Sequence, residues 1–116
     1  MSEVIVVALG GNAISQPGQR GTAEEQRANV QTTTRQIATM IRSGMRVIVT
    51  HGNGPQVGNL LIQQEEASRL VPPMPLDICG SQSQGQIGYM IQQSLLAQLN
   101  DLKPRPRVVT VVTQVQ

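Results

Sequence analysis

The sequence predicts an α/β fold built on a mainly parallel sheet, and three observations carry that prediction. A near-continuous apolar run at Val4–Leu9 reads as a strand buried on both faces of a parallel sheet, and residues 46–50, with the β-branched run 47–50, read as a second strand. The stretch between them has the spacing of an amphipathic helix, so the three form a βαβ unit with parallel strands and a right-handed crossover. Each strand ends in a glycine–asparagine turn: Gly10-Gly11-Asn12 after the first, Gly52-Asn53-Gly54 after the second.

In chain order, Gly10 and Gly11 end the first strand and residues 12–21 form a loop holding Pro17, Gly18 and Gly21. Thr22 reads as a helix cap, with Glu25 three residues on as in a capping box and both Glu24 and Glu25 at the positive helix end. Val30, Thr34, Ile37, Ala38 and Ile41 make the buried stripe of this helix, and Gly44 is its stop. After the second strand, Pro55 sits in the first turn of another helix, where its missing N–H is no loss. Val57, Leu60, Leu61 and Leu70 form the apolar side of that helix, and Val71-Pro72-Pro73-Met74-Pro75 is a rigid loop.

Asp77 is the expected cap of a long helix over 78–99, in which Ile87, Ile91, Leu95 and Leu99 repeat every four residues. Gly80, Gly85 and Gly88 each lower helix propensity by about 1 kcal/mol relative to alanine. Their presence points to a ligand or another backbone close to that helix. Lys103-Pro104-Arg105-Pro106 leads to a third strand over 107–115, giving the order β-α-β-α-α-β. Three strands make a thin sheet for such long helices, which marks the chain as the first part of a larger α/β domain.

At 116 residues the chain is one domain or part of one. With 39% hydrophobic but only 1% aromatic residues, its core is built from Val, Ile, Leu, Met and Ala. The net charge is only +2, the basic residues are scattered, and stacking platforms are absent, which argues against nucleic acid as a partner. The single cysteine, Cys79, rules out an internal disulfide and fits a reducing compartment. The N-terminus lacks the charged region and cleavage site of a signal peptide, and no apolar run reaches the roughly 20 residues of a membrane span. A cytoplasmic protein without membrane contact is expected.

Glycine turns at strand ends let bare backbone N–H groups meet an anion, because a side chain would block close approach and the turn can require positive φ. The two turns are read as two walls of one phosphate or carboxylate site. Asn12 and Asn53 occupy equivalent places in them. Either asparagine alone is explained by turn geometry, whereas the pair can hydrogen-bond an oxyanion without adding charge. His51 and Cys79 read first as structural residues, and Ser81, Gln82, Ser83 and Gln84 as a polar helix face. One His, one Cys and scattered acids make no metal-ligand set. The spacing Gly52-x-Gly54-x-x-x-Gly58 approaches a dinucleotide fingerprint, but the next strand and its acidic residue are missing at 71–75. A Gly-Lys-Ser or Gly-Lys-Thr phosphate loop is absent.

Four blocks, in collinear order over essentially the whole chain, closely resemble the N-terminal part of carbamate kinases, members of the amino-acid kinase superfamily. They are Ala8-Leu9-Gly10-Gly11-Asn12-Ala13, Pro17-Gly18-Gln19-Arg20-Gly21-Thr22 with Glu24-Glu25-Gln26, His51-Gly52-Asn53-Gly54-Pro55-Gln56-Val57-Gly58, and Ser81-Gln82-Ser83-Gln84-Gly85-x-Ile87-Gly88-Tyr89. The third block is the most specific. The resemblance implies a three-layer α/β/α sandwich and a homodimer. It also implies reversible transfer of a phosphoryl group between ATP and carbamate with Mg²⁺, which toward ATP is the last step of fermentative arginine breakdown.

By position, Gly10, Gly11 and Asn12 match the turn around the transferred phosphoryl group, and Gly52, Asn53 and Gly54 the turn facing carbamate. Ser81 and Gln82 are secondary candidates. Family catalysis relies on lysines, and the sole lysine here, Lys103, lies in a proline-flanked connector. The resemblance therefore implies a carbamate and carbamoyl phosphate cradle over residues 1–116, without the catalytic lysines or the nucleotide-binding half. A chain of this kind is expected to be inactive alone. A binding protein that holds anions or dimerises without catalysis is the alternative from another class, and a dinucleotide-binding protein a third.

Overall fold

A computed structural model describes residues 3–114. The elements are β1 (Val4–Leu9), a 3₁₀ turn (Gly11–Ala13), α1 (Ala23–Arg42), β2 (Arg46–His51), α2 (Gly54–Glu66) and α3 (Leu76–Gln98). The α/β class, the parallel sheet and the three helices are as the sequence predicts. Strands β1 and β2 pair in parallel, with Val4 opposite Arg46 and Leu9 opposite His51.

The first helix shows why local sequence signals succeed. Thr22 Oγ1 accepts from the Glu25 N–H at 3.2 Å while Glu25 Oε2 accepts from the Thr22 N–H at 3.1 Å, closing the capping box. At the other end Gly44 has φ +95°, with Gly44 N–H bonded to Ile41 O at 3.0 Å and Met45 N–H to Met40 O at 3.2 Å. These are the paired bonds of a Schellman stop, and φ is positive where glycine tolerates it.

The core lies between the sheet and the α1–α3 pair. Val30, Ile37 and Ala38 of α1 meet Ile87, Met90, Ile91 and Leu95 of α3, with Val7, Leu9, Val47 and Val49 packed beneath. Polar links stitch the helices together at half-buried positions: Thr34 Oγ1 lies 2.7 Å from Ser94 Oγ, and Gln86 Nε2 donates to Gln26 Oε1 at 2.9 Å. At the ends of α1 and α3, Arg42 forms a bidentate pair with Asp101, at 2.6 and 3.1 Å, and reaches Gln98 O. The hydrogen bonds from Arg42 hold the Asp101 carboxyl below the usual carboxylate range. A depressed carboxyl pKa contributes stability above its unfolded value that is lost as pH falls through the folded one. Both groups are exposed, so that contribution is small.

Five expectations are corrected. Residues 107–114 are not a strand, and Val115 lies outside the described residues. Thr113 is clamped by Gln84 instead: its N–H donates to Oε1 at 2.7 Å and its carbonyl accepts from Nε2 at 2.9 Å. A cleft of about 590 Å³ separates this segment from β2. Second, β1 is not buried on both faces, and β2 has the same alternating exposure. Ile5, Val7 and Leu9 turn toward the helices, while Val4 (52% exposed), Val6 (63%) and Ile48 (52%) form a bare apolar face.

Third, α3 begins at Leu76 rather than 78, with Pro75 as its cap and Cys79 N–H bonded to Pro75 O at 3.0 Å; Asp77 sits in the first turn without capping. Fourth, Leu70 lies beyond α2 and is 87% exposed, while the buried residue of α2 is Gln56. Fifth, the protein neighbour close to Gly88 is a side chain and not another backbone: a Cβ there would collide with Thr110, whereas a Cβ at Gly80 or Gly85 would meet nothing within 4 Å.

Candidate functional site

The register fixes where the two glycine turns meet. With Leu9 opposite His51, Gly10 and Gly52 are the first residues beyond two adjacent parallel strands, at the same end of the sheet. Both turns therefore open at the carboxyl ends of the strands, the edge at which open α/β sheets bind ligands.

After β1, Gly10 stays extended and the chain tightens into the 3₁₀ turn, closed by Ala13 N–H to Gly10 O at 3.0 Å. The Gly11 and Asn12 N–H groups take no part in the turn's hydrogen bonds. After β2, Asn53 is the N-cap of α2, and Val57 N–H to Asn53 O at 2.9 Å starts the helical ladder. The Gly54 and Gln56 N–H groups precede that ladder and point out of the helix start, where the helix dipole favours negative charge.

None of Gly10, Gly11, Gly52 or Gly54 has a positive φ, and a Cβ on any of them would meet nothing within 4 Å. Conformational need is thus not the reason for these glycines. What they leave is open space in front of backbone donors.

Side chains hold both turns in place. Thr33 Oγ1 donates to Ala13 O at 3.2 Å and Asn29 Nδ2 to Ile14 O at 2.9 Å, fixing the first turn to α1. Gln56, buried in α2, donates from Nε2 to Ser15 Oγ at 3.1 Å and so joins the two turns. Asn53 Nδ2 donates to Ser83 Oγ at 2.8 Å, which ties the second turn to α3.

The six sequence-predicted residues Gly10, Gly11, Asn12, Gly52, Asn53 and Gly54 thus come together at one sheet edge. Asn12 is exposed and its side chain makes no hydrogen bond among the described residues, so the two asparagines are not equivalent. The secondary candidates do not join them by any hydrogen bond. Ser81 Oγ bonds back to Ile78 O at 2.6 Å, and Gln82 is exposed.

The residue that does reach the turn is Ser83, fully buried rather than on a polar face. Its signal was available: stepping back by fours from Leu95, Ile91 and Ile87 lands on Ser83 and then Cys79, both buried. Cys79 Sγ donates to Met74 O at 3.5 Å, and His51 Nδ1 lies 3.0 Å from Gly52 O; both fit structural roles.

The donors at these turns are amides and hydroxyls. Residues 10–13, 52–54 and 81–83 include no carboxylate, and no group of three His, Cys, Asp or Glu side chains able to hold a metal occurs among the described residues. They do not fit a resident Mg²⁺. No described helix is long and apolar enough to cross a membrane. Two cavities, of about 280 and 590 Å³, lie elsewhere and are lined by none of residues 10–12 or 52–54.

Comparison with known proteins bears on this geometry. The pattern defining the Amino acid kinase family matches residues 3–110. Carbamate kinase of Pyrococcus furiosus is 49% identical over 116 residues, covering 98% of this chain and 37% of that protein. Carbamate kinase 1 of Enterococcus faecium is 48% identical, with 99% and 37% covered. The solved structure of Giardia lamblia carbamate kinase bound to AMP-PNP superposes with a TM-score of 0.84 at 39% identity, over 90% of this chain and 36% of that one. The chain spans little more than a third of the length of these relatives.

Proposed function

Since this chain belongs to the amino acid kinase family, we propose that it forms the acceptor-binding part of a carbamate kinase, which interconverts ATP plus carbamate with ADP plus carbamoyl phosphate. The observation that carries this reading is the pair of glycine turns brought to one sheet edge by the Leu9–His51 register. The identity to carbamate kinases supports it.

In this reading the N–H groups of Gly11 and Asn12 hold the transferred phosphoryl oxygens, and those of 52–54 and the start of α2 hold carbamate. Phosphoryl transfer asks for positioning and charge stabilisation more than for covalent chemistry, so preorganised backbone donors suit it. ATP or ADP, with its Mg²⁺, belongs to a nucleotide-binding part that residues 1–116 do not include. The bare face of β1 and β2 and the 590 Å³ cleft beside β2 are surfaces that such a part would cover. The cellular setting proposed is cytoplasmic arginine catabolism.

The only lysine is Lys103, in the connector beyond α3, so the chain offers no lysine from the turns to neutralise charge on the phosphoryl group. The 116-residue chain is expected to bind carbamoyl phosphate but form no ATP from it and ADP. A coupled ATP assay at saturating substrates tests this, and sustained turnover would sink the proposed division of labour.

A second reading, a non-catalytic protein that dimerises, is favoured by the exposed Val4, Val6 and Ile48 and the open edge of β2. Sedimentation separates the two: a tight homodimer with no affinity for carbamoyl phosphate would favour the second. A homodimer that binds the anion fits the first.

A further inference from the structure

We propose that Ser83 is a positioning residue that turns the Asn53 carboxamide so that the site selects an acceptor bearing an N–H group. This rests on the proposed function above and assigns the selectivity of that same site.

The assignment follows from counting protons. A serine hydroxyl has one hydrogen and two acceptor positions. Ser83 Oγ lies 2.6 Å from Gly80 O, a carbonyl that can only accept, so the hydroxyl hydrogen is committed there. Toward Asn53, 2.8 Å away, Ser83 has only lone pairs to offer. The atom facing it must be the donor, Nδ2. The residue is fully buried, so water does not compete for these positions.

This leaves Asn53 Oδ1 as the free end of the carboxamide, with no hydrogen bond among the described residues. Nδ2 keeps its second N–H, so the Asn53 carboxamide presents an acceptor as well as a donor, where the sequence pointed only to hydrogen bonding with an oxyanion. Backbone N–H groups of the turn and the helix start take ligand oxygens, while Oδ1 presents an acceptor beside them. A carboxylate or phosphate oxygen placed against Oδ1 is repelled. A planar group that carries both oxygen and N–H satisfies both kinds of partner. A methyl group in the N–H position leaves Oδ1 without that partner, which forfeits about the net worth of one hydrogen bond.

Carbamoyl phosphate and acetyl phosphate differ in this way, NH₂ against CH₃, at nearly equal size. Calorimetric titration of the 116-residue chain with each is expected to give about tenfold tighter binding of carbamoyl phosphate. In Ser83→Ala the carboxamide loses its anchor, and the ratio is expected to fall to about one with acetyl phosphate affinity little changed. Asn53→Ala removes the same tie from the turn side while leaving the buried α3 residues unchanged, and provides a second variant. It should abolish the ratio as well, and since Asn53 makes no side-chain capping bond, α2 keeps its start.

Equal binding of both compounds by the unsubstituted chain would overturn this proposal while leaving the anion site standing. A ratio retained in Ser83→Ala but lost in Asn53→Ala would remove Ser83 from it. Saturable binding of neither compound would overturn the functional reading, and this inference with it.

Discussion

Replacing Gly52 with valine is expected to cost roughly 10- to 100-fold in affinity for carbamoyl phosphate while leaving the fold intact. The two halves of that expectation have separate causes. The backbone at Gly52 is not in the left-handed region, and a Cβ there meets nothing within 4 Å, so the fold has no objection to a branched side chain. A valine at the end of β2 even suits strand geometry. Its methyl groups, however, occupy the space in front of the 52–54 donors, which is where an anion must come. A hydrogen bond to a charged group is worth about 1.5–3 kcal/mol, so screening one or two such donors from the anion costs roughly 10- to 100-fold in affinity. Gly11→Val is expected to behave alike at the first turn. Urea unfolding and calorimetry on the same samples check the pair of claims. A variant that unfolds easily, or one that binds normally, contradicts the role given to these glycines.

The largest effect on stability is expected from Ile87→Ala. Ile87 is fully buried at the centre of α3, in the cluster that includes Val30, Ile37 and Ile91. Truncating a buried isoleucine to alanine costs about 2–5 kcal/mol, by lost transfer energy and by the cavity left behind. Against the few to fifteen kcal/mol that hold a domain of this size together, that is a large share. Leu70→Ala, at a position 87% exposed, should stay within about 0.5 kcal/mol. Chemical denaturation distinguishes them by a shift in midpoint at nearly constant slope. Equal midpoints for the two variants would mean that the α1–α3 interface is not the core.

What could be read from the sequence was what depends on neighbours along the chain. The capping box at Thr22 and Glu25 and the stop at Gly44 are closed by residues within a few positions, and both appear as expected. The α3 stripe from Ile87 to Leu99 is a property of helix period alone. The position of the two glycine turns at the same end of the sheet was legible as well, because each directly follows its strand.

What could not be read depends on partners distant in sequence. Residues 107–114 have strand-like composition, but a strand exists only if another backbone pairs with it. Here Gln84 and Gln92 hold the segment to α3, with Thr110 Oγ1 3.0 Å from Gln92 Oε1. The apolar face of β1 is likewise written in Val4 and Val6, while what covers that face is not. Ser83 escaped because serines on a helix usually face water. Its buried place shows only when the isoleucine repeat is carried back one more step, and its hydrogen bond to Asn53 spans 30 residues.

The central claim is that the two turns are walls of one anion site. The most direct test follows the backbone amide signals of residues 10–13 and 52–54 by heteronuclear NMR as carbamoyl phosphate is added. The account predicts that both sets shift together along a single saturation curve, with one dissociation constant. Shifts confined to one turn, two unrelated curves, or movement only at residues away from this sheet edge would contradict it.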